Sequence, residues 1–181
     1  ALRRFKYREL IRIALREFEG RDAEHVILAE WSDCADAILD AAYARAYADT
    51  AQRFGAPYID RATQTPCTGA VIALGKLGSR ELNISSDVDL LVLYASDEGG
   101  TAGGEIKGIT NHEFFVKLTT RFTRFVSAHW NEVLNPNSYL RCVGERMRQV
   151  IASRCADVAD WCLLLARTDK AAGHRGMSIF V

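Results

Sequence analysis

The chain carries no net charge, since 23 Lys and Arg balance 23 Asp and Glu over 181 residues. A surface without a charge excess offers no basis for nonspecific binding to nucleic acid or to an acidic membrane. No apolar run approaches the roughly 18 residues that span a bilayer, and no signal peptide is legible, so neither membrane spanning nor secretion is expected. Nor is there a C-x-x-C pair. The five cysteines (Cys34, Cys67, Cys142, Cys155 and Cys162) are odd in number and widely scattered, which indicates neither a zinc site nor a disulfide framework. They read as reduced, mostly buried thiols of a cytoplasmic protein. A starting methionine is missing too: Ala1-Leu2-Arg3-Arg4-Phe5 opens inside a helical pattern, as in a piece cut from something longer. What is present is a hydrophobic fraction of 49%, enough to pack one domain with a small appendage.

Periodicity supplies the frame. Leu2, Phe5, Leu10, Ile13, Ala14, Leu15 and Phe18 interleave with arginines, predicting an amphipathic basic helix that Gly20 ends. Ile27, Trp31, Ala35, Ile38, Ala42 and Ala46 fall at spacings of three and four and predict a longer helix over 23–54, stopped by Gly55-Ala56-Pro57. Its Trp31, Tyr43 and Tyr47 are read as core packing, not as a ligand platform. Residues 58–68 read as a polar loop leading to a first strand at Gly69–Leu74. Residues 96–108 are glycine-rich and acidic, either an ordinary surface loop or a lid over a nucleotide. Thr110 and Glu113 form a capping box. The helix they open runs to about Ala128, with Phe114, Leu118, Phe122 and Phe125 on one face and Lys117, Arg121 and Arg124 on another. His112, alone at that helix start, is read as a neighbour of the cap.

The most informative stretch is 75–94, GKLGSRELNISSDVDLLVLY. A glycine-flanked turn (Gly75, Gly78, Ser79) lies between two apolar runs and leads to Asp87-Val88-Asp89. If 88–94 is a strand, alternate residues share a face and the two aspartates point the same way. Two carboxylates aimed at one point repel unless a cation sits there, and Mg²⁺ suits one or two carboxylates plus phosphate oxygens. The glycines let backbone N–H groups approach an anion. A lone D-x-D is most often a solvated turn or a cap. The adjoining glycine-serine turn and the buried-looking strand make a metal and phosphate site the better reading, suited to nucleotidyl or phosphoryl transfer.

Gly-Ser, a short spacer and D-x-D together resemble the signature of the polymerase-β-like nucleotidyltransferases. The full string resembles the glutamine synthetase adenylyltransferase/adenylyl-removing family. LRRFKYRELIRIALRE, SDCADAILDAAYARAY and ITNHEFFVKLTTRFTRFVSA resemble that family in the same order, over about residues 2–128. NISSDVD and TNHEFF are more similar to its adenylyl-removing half. The fold expected is α+β. A small mixed sheet of nucleotidyltransferase type is flanked by helices, with a helical segment over 1–57, a core over 58–150 and a C-terminal β-hairpin extension over 151–181. The resemblance implies addition or removal of AMP on a tyrosine of glutamine synthetase, with removal by phosphorolysis favoured. It implies Mg²⁺ held by the catalytic pair Asp87 and Asp89, and nucleotide phosphates bound by Gly78 and Ser79, with Lys76, Arg80 and Ser86 as weaker candidates. Substrates would be ATP or ADP, or AMP-tyrosine plus phosphate. Glutamine synthetase and a PII-type regulator are the implied partners, with no nucleic acid and no membrane.

Beyond Ala128 the pattern departs from the family. A segment similar to Y-R-V-D-x-R-L-R-P should supply a third metal carboxylate. Aligning the arginines of 141–148 (RCVGERMR) puts Gly144 at that place, with Glu145 one residue off and on the opposite strand face. The alternative function is therefore a catalytically impaired or truncated domain that binds nucleotide or a protein partner only. Residues 158–181 resemble the middle β-domain of acyl-CoA dehydrogenases, which makes a flavin- or acyl-CoA-handling module the distant third class. Their physical content is a hairpin with strands at 161–166 and 177–181 around a polar turn.

Overall fold

Small and branched apolar residues at every third or fourth position bury one side of a long helix, and Ile13, Leu90, Val92, Phe122 and Val126 join them in the main core. The computed structural model describes residues 2–84, 86–130, 138–142, 164–167 and 177–180. Helix α1 (Leu2–Phe18) leads through Gly20, at φ +63°, to α2 (Glu24–Phe54). Ile27, Trp31, Ala35, Ile38, Ala42 and Ala46 of α2 are buried as the spacing predicts. Ile13 of α1 and Phe122 and Val126 of α4 (Asn111–Trp130) join them in one cluster. Tyr43 packs edge-on against Phe122 and Tyr47 against Phe114, each at 5.7 Å between ring centroids. The core-packing reading of these aromatics holds.

After α2 come strands β1 (Gly55–Asp60), β2 (Thr65–Pro66), β3 (Gly69–Leu74), the short helix α3 (Gly75–Gly78), β4 (Asp89–Tyr94) and β5 (Gly100–Gly103). Strands β6 (Ser138–Cys142), β7 (Leu164–Arg167) and β8 (Met177–Phe180) follow α4. The fold is α+β. Strand β4 lies between β3, antiparallel, and β6, parallel, which makes the expected small mixed sheet. The predicted hairpin is present as β7 against β8, with Leu164 opposite Phe180; residues 161–163 of its expected first strand lie outside the described residues. Gly144 and Glu145 lie outside the described residues.

Two loop expectations are corrected. Residues 58–68 were expected to be loop, but β1 and β2 occupy much of that stretch, and β1 begins directly at the end of α2. The glycine-rich 96–108 contributes β5, which pairs antiparallel with β1 from Gly55 opposite Gly103 to Tyr58 opposite Gly100. Backbone N–H groups of Glu105 and Ile106 further bond to the carbonyls of Gln52 and Arg53. The segment is a sheet edge fastened to the end of α2. Its partners lie some 45 residues away, and Gly-Thr-Ala-Gly has too little side-chain pattern to announce a strand.

The capping box is built as read. Glu113 accepts from the Thr110 N–H at 3.0 Å, and the Glu113 N–H donates to the Thr110 hydroxyl at 3.2 Å. These bonds hold the Glu113 carboxyl below its ordinary value, the backbone N–H of Thr110 contributing most. A group lowered in this way stabilises above the ordinary carboxylate range, and the contribution is lost as pH falls through the lowered value. Thr110→Ala should cost about 1 kcal/mol in urea denaturation at neutral pH.

Candidate functional site

Register brings the motif together. Leu74, the last residue of β3, pairs with Asp89, the first of β4. The glycine turn that follows β3 therefore emerges beside the carboxylate that opens β4. Gly75 lies in the left-handed region at φ +59°, and a β-carbon built on it would stand 3.9 Å from Asp89 Oδ2. Among the described residues beyond the turn itself, no other atom comes within 4 Å of that point. The backbone thus passes close enough to the carboxylate that even a methyl group on Gly75 would touch it.

Burial alternates across Asp87, Val88 and Asp89, but the strand expected from Val88 starts one residue later. Val88 is buried with Leu90 and Val92 in the main core. Asp87 on one side of it is exposed and Asp89 on the other is half-buried. Strand β4 begins at Asp89, so Asp87 belongs to the preceding turn and not to the strand. That turn is closed by Asn83, whose carbonyl accepts the Ser86 N–H at 3.1 Å and whose side-chain oxygen accepts the Ser86 hydroxyl. Ser86 is buried, and its hydroxyl serves this turn.

The remaining candidates divide by what they touch. Ser79 is exposed, and its hydroxyl donates to the Gly75 and Lys76 carbonyls, each at 3.3 Å, closing the end of α3. Lys76 is exposed on the same turn. Gly78 does a different job from the one its sequence suggested. A β-carbon there would lie 2.6 Å from the Ala73 carbonyl oxygen, so its bare α-carbon packs α3 onto β3. The Arg80 guanidinium reaches away to Asp33 of α2 at 2.7 Å. His112 is not brought to the site. Its Nδ1 lies 2.7 Å from the Tyr94 hydroxyl, which also donates to Asp97, at the far end of β4. Five strand residues, roughly 17 Å, separate that end from Asp89.

Sequence reasoning missed the residues that hold the turn from behind. The hydroxyl of Ser32, fully buried on α2, accepts the Leu82 N–H at 3.1 Å and donates to the Leu28 carbonyl at 2.8 Å. Asp33 takes Arg80. Both are about 50 positions from their partners, and only the placement of α2 behind the turn reveals them.

The model of the Glutamate-ammonia ligase adenylyltransferase family matches residues 1–134. The chain belongs to this family. A bifunctional glutamine synthetase adenylyltransferase/adenylyl-removing enzyme of Nitrosococcus oceani is 36% identical over 131 residues, which is 72% of this chain and 13% of the relative. The enzyme of the same description from Thioalkalivibrio sulfidiphilus is 37% identical over the same length and shares. That of Pseudomonas putida is 37% identical over 123 residues, 68% of this chain and 12% of the relative. This adenylyltransferase-family chain thus spans about an eighth of the length of the relatives it matches. The matched region holds the whole glycine turn, the D-x-D and α4. No described helix is long and apolar enough to cross a membrane.

Proposed function

We propose that this chain is the nucleotide-handling domain of an enzyme that adds or removes AMP on a tyrosine of glutamine synthetase, with removal favoured. The observation that carries the reading is the Leu74–Asp89 register, which sets Gly75 against the Asp89 carboxylate. Asp87 and Asp89 would hold Mg²⁺, which when bound offsets phosphate charge. The Gly75–Ser79 turn would face the phosphates, and Lys76, exposed on that turn, would offset their charge. In the favoured direction an oxygen of inorganic phosphate attacks the phosphorus of tyrosyl-AMP. The P–O bond to tyrosine breaks, the tyrosine oxygen leaves and takes a proton, and the products are ADP and unmodified tyrosine. For addition of AMP the tyrosine oxygen, losing its proton, would attack the α-phosphorus of ATP, with pyrophosphate leaving. Glutamine synthetase is the proposed protein substrate and a PII-type regulator the proposed partner, in the cytoplasm.

A second reading, nucleotide binding with little turnover, is favoured by one feature of the chain. Ser138–Cys142, the strand beside β4 on the side away from β3, contains no carboxylate in its sequence, and aligning the arginines of 141–148 with the family pattern would put Gly144 in the aspartate's place. The test is to measure Mg²⁺-dependent ATP and ADP binding together with AMP release from adenylylated glutamine synthetase. Binding with little or no release is expected, with a measurable gain in Gly144→Asp. Robust release by the unmodified chain would overturn the second reading, and failure to bind nucleotide under any metal condition would overturn both.

A further inference from the structure

Arg80 stands in a backbone conformation that favours glycine, at φ +60°. It closes α3 in the manner of a Schellman motif: the Arg80 N–H donates to the Leu77 carbonyl at 3.0 Å and the Glu81 N–H to the Lys76 carbonyl at 2.7 Å. Glycine usually fills this position because a β-carbon is strained there. Keeping arginine implies that the side chain offsets the strain in some way. That side chain reaches α2, with one guanidinium nitrogen 2.7 Å and 2.9 Å from the two oxygens of Asp33. The neighbouring Ser32 accepts the Leu82 N–H. Adjacent residues of one rigid helix therefore hold positions 80 and 82, directly after Ser79. Asp36, one turn further along α2, adds to the same charged group. Its carboxyl is raised by burial and by Asp33 and drawn down by Arg80. Arg80 and Asp33 are about half exposed, and such ion pairs contribute little to global stability. A local task explains the arrangement better than a global one.

We propose that Ser32 and Asp33 are positioning residues: they clamp residues 80–82 to α2 and so fix the glycine-serine turn in register with Asp89. This inference rests on the nucleotide-binding function proposed above. The contrary possibility is that Arg80 grips phosphate directly and Asp33 merely neutralises it. The two differ in sign. Under the clamp, Asp33→Asn loosens the turn and weakens nucleotide binding; under direct grip it frees Arg80 and leaves binding equal or tighter.

The experiment uses the whole chain and reads three quantities in wild type, Asp33→Asn, Arg80→Gly and the swap Asp33→Arg/Arg80→Asp. These are Mg-ATP affinity by calorimetry, thermal midpoint, and hydrogen exchange of the 79–82 amides without ligand. Asp33→Asn should bind about tenfold more weakly, exchange faster at 79–82 and melt as wild type does. Arg80→Gly should melt no lower than wild type, because glycine relieves the strain, yet bind more weakly. The swap should recover part of the affinity. Equal or tighter binding in Asp33→Asn, or a swap without recovery, overturns the positioning role. Unchanged exchange in Asp33→Asn overturns the clamp itself, whether or not nucleotide binds. If wild type binds no nucleotide, the proposed function and the positioning role both fall, and the exchange result still decides the clamp.

Discussion

Asp87→Asn/Asp89→Asn should abolish Mg²⁺-dependent nucleotide binding while leaving the fold intact. Asp87 is exposed and Asp89 half-buried, so an isosteric amide at either place disturbs no packing. Surface changes of this kind usually move stability by about 0.5 kcal/mol or less. The charge is a different matter. Mg²⁺ sheds water reluctantly and is held through carboxylates and phosphate oxygens together. Without the carboxylates, the metal has no anchor on the protein and the phosphates meet a site that has lost its counter-charge. A fall of at least about a hundredfold in affinity, equivalent to ~2.7 kcal/mol, is expected. Calorimetry on wild type and variant, each with Mg²⁺ and with a chelator, checks it. Equal affinity in all four samples would sink the assignment of the aspartates.

How much of this was legible beforehand depends on the range of the interactions. Helices α1, α2 and α4 were readable because their apolar spacing is local, and the capping box because Thr110 and Glu113 lie within one turn. Strands β3 and β4 were readable for the same reason, as apolar runs bounded by Gly69 and Gly75 and by Asp89. The burial of Val88 between the exposed Asp87 and the half-buried Asp89 agrees with the alternation read in the sequence, but the strand begins only at Asp89, so Asp87 lies in the turn before it. Sheet β2-β1-β5 was hidden because its strands are short, glycine- and proline-bearing, and defined mainly by a partner far along the chain. Arg80 was hidden in another way: nothing about an arginine announces φ +60°. Its role depends on Asp33, which reads in sequence as one more solvated residue of a long helix. The glycine turn was recognised as a unit, but its glycines do different work, and only coordinates separate them.

That separation gives the most discriminating variant pair. Gly78 and Gly75 flank α3 and both read from sequence as phosphate-cradle glycines. In the structure, a β-carbon on Gly78 would meet the Ala73 carbonyl oxygen at 2.6 Å and its carbon at 3.3 Å. Ala73 cannot retreat easily, because it is held in the sheet opposite the buried Leu90. Gly78→Ala should therefore destabilise the chain by about 1–3 kcal/mol, as overpacking does, and Gly78→Val by more. Loss of nucleotide binding in those variants would report the fold and say little about the ligand. Gly75→Ala meets no described backbone beyond its own turn. Its only cost to the fold is the left-handed φ, about 1–2 kcal/mol for a residue bearing a β-carbon. The new methyl group would stand 3.9 Å from Asp89 Oδ2, in the space a metal and phosphate would use. The expected result is a divergence: Gly78→Ala loses stability first, whereas Gly75→Ala stays folded and loses affinity for Mg-ATP. Thermal melting alongside calorimetry resolves the two. A folded Gly75→Ala that binds Mg-ATP as tightly as wild type would show that the space beside Asp89 is not the cradle, and would move the phosphate site elsewhere on the turn.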